Sequence, residues 1–257
     1  MTDPVLVDLS DGISTVTLAD EANKNALGAD LVDQIRGAVA NANSDSDTRA
    51  IVVTNTSNTF CAGANLKERS ANTAQASDSN GFERLLSEIQ SSPTPVIGRI
   101  AGHVVGGGLG LAAVMDISVA ANDVRFGFTE VRLGVAPAMI SVVCLPKMRR
   151  GEALEAFLRG TRFSADRAVE LGLINHAVDR DNLDAEVSSV LDDVLRGGPL
   201  ALAAAKRLVY DVPAMEQSEA FAHTAEISGQ LFASDEAAAG MKAFLERTDA
   251  PWIPDEN

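Results

Sequence analysis

The chain is poor in aromatic residues: Phe, Trp and Tyr fill 4% of its 257 positions, with a single Trp and a single Tyr. Its core must therefore be assembled from Ala, Val, Leu and Ile, within a hydrophobic share of 46%. Cysteine is nearly absent. Cys61 and Cys144 stand apart with no C-x-x-C pair, which removes support for a redox dithiol or a cysteine-built metal site. The three histidines, His103, His176 and His223, lack metal-ligand spacing. Positive charge is scarce: 21 Lys and Arg face 36 Asp and Glu, a formal net charge of -15. A field of that sign opposes binding to nucleic acid or to an anionic membrane surface, and an anionic ligand would need a local basic patch. The longest apolar stretches, such as Leu200 to Ala205, fall far short of the ~20 residues of a bilayer span. Met1-Thr2-Asp3-Pro4 is acidic and lacks the apolar centre of a signal peptide. A cytoplasmic location is expected. No G-x-S-x-G elbow occurs, which disfavours a serine hydrolase of that type.

What the chain does have is alternating strand and helix signals. Val5 to Leu9 and Ile13 to Leu18 read as strands across the turn Ser10-Asp11-Gly12. Leu31, Ile35 and Val39 give Leu27 to Ala42 helical spacing. Ala50 to Thr54, Val96 to Ile100, Ile117 to Ala121 and Val124 to Phe128 read as further strands and Phe82 to Gln90 as a helix, while Ala112 to Met115 continues a short helix after the second glycine run. Beyond Met139 helices dominate: Glu152 to Leu158, Ala165 to Leu171 behind the cap Ser164, Asp184 to Leu195, Leu200 to Tyr210, Ala214 to Ala233, and a last one from Ser234 through Phe244. Gly197-Gly198-Pro199 marks an internal boundary. The Ser- and Asn-rich segment Arg69 to Asn80 reads as a mobile loop and a candidate lid. The pattern predicts an α/β architecture, α+β by some schemes, with a helical tail.

Two glycine-containing runs carry the chemistry. Thr59-Phe60-Cys61-Ala62-Gly63-Ala64-Asn65-Leu66 and His103-Val104-Val105-Gly106-Gly107-Gly108-Leu109-Gly110 each follow a strand-like stretch and lead into residues able to start a helix. Small residues let backbone approach a ligand, and N–H groups at a helix start carry partial positive charge. Two such loops can aim two N–H groups at one oxygen, an oxyanion hole suited to acyl chemistry. Glu130, between Phe128 and Val131, is a candidate acid or base, although an isolated Glu is more often a solvated surface residue. Cys61 reads as a small loop residue rather than a nucleophile, and His103 as a partner for loop backbone rather than a pocket residue. The run Gly108-Leu109-Gly110-Leu111-Ala112-Ala113 also satisfies G-x-G-x-x-A. A dinucleotide fold is disfavoured because the run sits mid-chain, Glu130 does not end the second strand of a βαβ unit, and the first loop is left unexplained.

Taken together these residues resemble the enoyl-CoA hydratase/isomerase (crotonase) family, nearest in motif to members like methylglutaconyl-CoA hydratase. The likeness runs through Asn23-Lys24-Asn25-Ala26-Leu27, Phe60 to Lys67, Pro95-Val96-Ile97, Gly106-Gly107-Gly108, Met115-Asp116-Ile117, Phe126 to Glu130, Gly172-Leu173-Ile174 and Gly240 to Arg247. It implies a crotonase-type spiral of ββα turns over residues 1–196 and a C-terminal helical oligomerisation region over 197–257. That region would serve a homotrimer or a hexamer of two trimers. It implies Glu130, Ala64 and Gly107 as catalytic residues, the latter two through their N–H groups. It places an acyl-CoA substrate along Lys24, Ala26, Ala62, Leu66 and Lys67, with Gly106 and Gly110 beside the acyl group. No metal or other cofactor is implied, coenzyme A being part of the substrate.

The departures bear on the reaction. Two-glutamate hydratases carry a second carboxylate at the position of Gly110, and this chain does not. Asn65 stands where Asp is common, and Asp20-Glu21-Ala22 lacks the usual Arg-Pro pair. Single-glutamate members include both hydratases and 3-enoyl to 2-enoyl isomerases. The similarity of Glu130 to Ser141 to methylglutaconyl-type enzymes favours the hydratase, and Gly110 is expected to leave room for a branched acyl group.

Overall fold

Asp11 and Gly12 both adopt positive φ, +52° and +76°, the requirement of the two-residue turn that matches strand twist. They join strands β1 (Val5–Ser10) and β2 (Ile13–Leu18) into an antiparallel hairpin. The computed structural model describes residues 3–71 and 79–253. Helix α1 (Ala29–Ser44) follows, and its apolar stripe, Leu31, Val32, Ile35, Ala38, Val39 and Ala42, is buried. Strand β3 (Ala50–Asn55) is buried along its whole length, which explains a continuous apolar run where an exposed strand would alternate.

Beyond β3 the chain spirals. Each turn lays one strand on each of two sheets: β3 then β4 (Thr59–Cys61), β5 (Val96–Ile100) then β6 (His103–Val105), β7 (Ile117–Ala121) then β8 (Arg125–Gly127). Between these strands run α2 (Leu66–Ala71), α3 (Ser79–Ser91) and α4 (Gly107–Val114). Next come α5 (Ala138–Cys144), α6 (Arg150–Arg159), β9 (Phe163–Ser164), α7 (Ala165–Glu170) and β10 (His176–Val178). One sheet has the order β1-β2-β3-β5-β7-β10, the other β4-β6-β8-β9. Pairing is parallel from β2 through β3, β5 and β7 to β10, and from β4 through β6 to β8. This is the expected mixed α/β spiral.

Four expectations shift. The glycine runs are not wholly loops, because their first residues form β4 and β6. The short helix read over Ala112 to Met115 runs over Gly107–Val114. The Ala214 start moves to Gln217, behind a 3-10 turn over Val212–Ala214. Within the predicted Arg69 to Asn80 loop, α2 extends to Ala71 and α3 begins at Ser79; positions 72–78 lie outside the described residues.

Helix α8 (Leu183–Leu195) still contributes Leu183, Val187, Leu191 and Leu195 to buried positions. Helices α9 (Pro199–Asp211) and α10 (Gln217–Phe232) contribute none, and α11 (Asp235–Glu246) only Ala243. Phe221, Phe232, Phe244 and Leu245 are exposed on this tail, Phe244 by 83%. Polar ties hold it in place. Arg49, one residue before β3, donates to the carbonyls of Leu195, Gly197 and Trp252. Glu236 accepts the N–H groups of Leu200 and Ala201 at the start of α9, a carboxylate placed where the helix dipole favours it. Lys206 of α9 reaches the spiral, pairing with Asp116 at 2.8 Å and donating to the Ile89 carbonyl. Asp116 also accepts the Val96 N–H. Burial pushes the Asp116 carboxyl up and the Lys206 ammonium down, so each charge depends on the other to remain in that site.

Lys206→Ala leaves the Asp116 carboxylate without its cation, and unfolding free energy is expected to fall by about 3 kcal/mol in urea denaturation at fixed protein concentration. Asp116→Asn combined with Lys206→Met removes both charges and should recover most of that loss. An equal loss in the pair would show that the ion pair is not the source.

Candidate active site

The two glycine runs meet because β4 and β6 pair in parallel, with Thr59 opposite His103 and Cys61 opposite Val104. Both strands then release the chain at the same edge. Gly63 leaves β4 with φ +84°, and a Cβ there would lie 2.9 Å from the Val105 carbonyl oxygen and 3.0 Å from the Gly107 nitrogen. Only glycine allows this backbone-to-backbone approach. Gly106 turns the second run with φ +56° and caps α4, whose first residue is Gly107. A Cβ on Gly107 would sit 3.8 Å from the Ala64 nitrogen. The two N–H groups named from the sequence are therefore neighbours.

Each is also unoccupied by the fold. Leu27 forms a parallel bridge to Ala64: its N–H donates to the Gly63 carbonyl at 2.7 Å, and its carbonyl accepts the Asn65 N–H at 3.4 Å. That arrangement uses the Gly63 carbonyl and the Asn65 N–H, and the Ala64 N–H, trans to the Gly63 carbonyl in the same peptide, points away from Leu27. Gly107 opens α4, so no carbonyl one turn earlier in the helix takes its proton. Among the described residues neither N–H donates to another element. The start of α4 adds the positive end of its dipole.

Glu130 faces this pair. A Cβ on Gly106 would lie 3.5 Å from Glu130 Oε1 and 3.7 Å from the Gly63 Cα. The carboxylate opens a 3-10 turn, Glu130–Leu133, ended by Gly134 at φ +76°. The turn is braced from behind: Arg132 donates to the carbonyls of Gly160 and Arg159 at the end of α6, and the Phe128 ring lies 4.5 Å from that of Phe157. Glu130 is half-buried, and its Oε2 is buried with no hydrogen-bond partner. Burial pushes the carboxyl above the usual carboxylate range. A half-buried carboxylate with one buried oxygen lacking a partner, beside two N–H groups that donate to no other element, is suited to moving a proton.

Next to Ala64 lies a cleft of about 270 Å³ lined by Ala22, Asn23, Lys24, Ala26, Asn65, Leu66 and Lys67. Four residues expected to contact coenzyme A, Lys24, Ala26, Leu66 and Lys67, thus share one surface. Ala62 lies behind them, its N–H bound to the Lys24 carbonyl. Asn65 has a reason to replace Asp. Its Oδ1 accepts the N–H groups of Lys67 and Glu68 at the start of α2, while its Nδ2 donates to Glu68 Oε1. Only the amide can do both. Glu68 in turn accepts the Ala29 N–H at the start of α1. Asp20 similarly accepts the Asn23 N–H of the turn preceding Lys24.

Gly110 does not leave the expected room. It lies one turn beyond Gly106 on α4 and is buried. A Cβ there would meet the Ile140 side chain, 3.0 Å from its Cβ. Helix α5 has moved a branched side chain into the space that a residue at 110 would take, so the space for an acyl branch inferred from Gly110 is not present. Ile140 escaped sequence reading because nothing in its local context marks a partner thirty positions upstream. Cys61 and Cys144 are both buried, and burial pushes both thiols up to about 12, which disqualifies them as nucleophiles. His103 Nδ1 accepts the Arg125 N–H, a tie between β6 and β8. Among the described residues no group of three or more His, Cys, Asp or Glu can hold a metal, and no helix is long and apolar enough to cross a membrane.

The described residues thus form a ββα spiral in which two N–H groups without partners stand near one half-buried carboxylate. The sequence profile of the enoyl-CoA hydratase/isomerase family matches residues 8–254, and the chain belongs to that family. It is 30% identical over 234 residues to a crotonyl-CoA hydratase of Syntrophomonas wolfei, covering 89% of this chain and 90% of that one. The solved enoyl-CoA hydratase of Mycobacterium smegmatis superposes with a TM-score of 0.91 at 29% identity, over 98% and 99% of the two chains. A solved putative enoyl-CoA hydratase of Mycobacterium avium paratuberculosis is 39% identical, with a TM-score of 0.74 over 97% and 100%.

Because its carboxyl is raised, folded Glu130 keeps its proton to a higher pH than the unfolded chain does. The stability this confers is present below the unfolded value, ~4.3, and is lost as pH rises through the folded one. Glu130→Gln cannot ionise. Calorimetry should show it melting above the wild type near pH 8, with the gain vanishing near pH 4.

Proposed function

We propose that the chain is a 2-enoyl-CoA hydratase working with one glutamate. The observation that carries this reading is the unpaired Glu130 carboxylate set across Gly106 from the free N–H groups of Ala64 and Gly107. The thioester oxygen accepts from both N–H groups. Glu130 takes a proton from water, the water oxygen bonds to C3, and the C2–C3 π pair moves toward the carbonyl to form an enolate. Charge then rests on the oxygen held by Ala64 and Gly107, where each donor is worth about 3 kcal/mol in the transition state. Glu130 returns the proton to C2, so one carboxylate serves as base and then as acid. Coenzyme A lies along Lys24, Ala26, Ala62, Leu66 and Lys67. Lys24 and Lys67 supply local positive charge against the net charge of -15. The names of the relatives agree with the reaction.

A second reading has its own observation. Ile140 holds the place where a second carboxylate would project, and isomerisation of a 3-enoyl to a 2-enoyl thioester needs one base to carry a proton between C2 and C4. The exposed apolar side chains of α9 to α11 support assembly as a homotrimer or a dimer of trimers. Covering each exposed Phe is worth about 2 kcal/mol.

Mass spectrometry on linear, branched and carboxylated 2-enoyl- and 3-enoyl-CoAs tests the reaction. The expected result is gain of one water, lowered about 10²–10⁴-fold in Glu130→Gln. Double-bond migration without solvent oxygen would replace the hydratase reading with the isomerase. Binding of coenzyme A without turnover would leave an acyl-CoA binder. For assembly, sedimentation should give three or six times the mass of one chain, and Phe244→Glu should shift it toward monomer; a wild-type monomer would refute the oligomer.

A further inference from the structure

We propose that Leu27 is a positioning residue that sets the separation of the two N–H donors. The inference rests on the enolate chemistry proposed above and holds equally for the hydratase and the isomerase. Leu27 touches both halves of the hole. Its main chain clamps the first half: Leu27 N–H to the Gly63 carbonyl, Asn65 N–H to the Leu27 carbonyl, with Ala64 between. Its side chain meets the second half, since a Cβ on Gly107 would lie 2.8 Å from Leu27 Cδ1. The isobutyl group therefore rests on the open face of Gly107, while the peptide of the same residue holds Ala64.

Leu27 is itself held firmly. Lys24 and Asn25 both adopt left-handed φ, +56° and +50°, an unfavourable pair for residues with side chains. Buried Asn25 stabilises this turn by donating from Nδ2 to the Thr59 carbonyl of β4. The Lys24 carbonyl accepts the Ala62 N–H. The turn thus anchors to β4 before Leu27 and to the first glycine run at Leu27, so its side chain projects from a fixed base. Two donors serve one oxygen only if both lie within ~2.7–3.1 Å of it. Misplacement by ~1 Å costs on the order of 100-fold in rate.

Leu27→Ala keeps the main-chain bridge and removes the contact to Gly107. On the thioester that the wild type turns over best, kcat is expected to fall about 10–100-fold. KM, coenzyme A affinity and the pH profile should stay within about twofold, because Lys24, Lys67 and Glu130 are not touched. Leu27→Met, of similar volume, should recover most of the rate. A folded Leu27→Ala enzyme with kcat within twofold of the wild type overturns the proposal. So does a parallel loss of kcat and coenzyme A affinity that tracks the folded fraction in Leu27→Ala and is matched by Leu27→Met. A wild type inactive on every thioester refutes instead the enolate chemistry, and this inference with it.

Discussion

The parallel pairing of β4 with β6 is the constraint on which the site depends. Each strand has three residues and carries few hydrogen bonds, too little to persist alone. What holds them is the spiral, since every turn deposits one long strand on the first sheet and one short strand on the second. Burial of β3, β5 and β7 fixes the pitch, and the short strands inherit it. The two glycine runs therefore emerge side by side, with the Cys61 side chain of the first against Gly108 of the second. Backbone N–H groups placed this way lose no rotamer freedom on meeting a charge, the advantage of a hole built from main chain rather than from side chains.

Local electrostatics run against the sign of the whole molecule. A formal charge of -15 repels an anionic ligand at long range, but that repulsion is screened beyond ~8–10 Å in physiological salt. Within that distance the cleft presents Lys24 and Lys67, and the beginning of α4 adds a partial charge. Among the described residues no cation pairs with Glu130, whose Oε2 has no partner. The bracing residue Arg132 spends its donors on the carbonyls of Arg159 and Gly160 rather than on Glu130.

The sequence disclosed the frame because the frame is periodic. Strands β2, β5 and β7 have the predicted bounds, since β-branched runs between turn residues have few other ways to fold. Strands β4 and β6 were hidden inside glycine runs, being too short to show alternation. Glu130 was legible only through its company, as lone carboxylates are usually solvated. The filling of Gly110 by Ile140 and the reach of Leu27 to Gly107 were not legible. Both are contacts between side chains distant in sequence, set by how α5 and the Lys24 turn dock, and no local pattern encodes docking.

The packing of Ile140 over Gly110 couples two positions that are far apart in sequence. Any residue larger than glycine at 110 enters occupied space, so the first change toward a second carboxylate must be made on α5. Shortening Ile140 before the carboxylate arrives opens a cavity beside the helix that begins at Gly107, and such cavities are destabilising. A lineage with this pair in place thus stands behind a small valley in stability: one-carboxylate and two-carboxylate versions of the site are separated by two linked substitutions, neither favourable first.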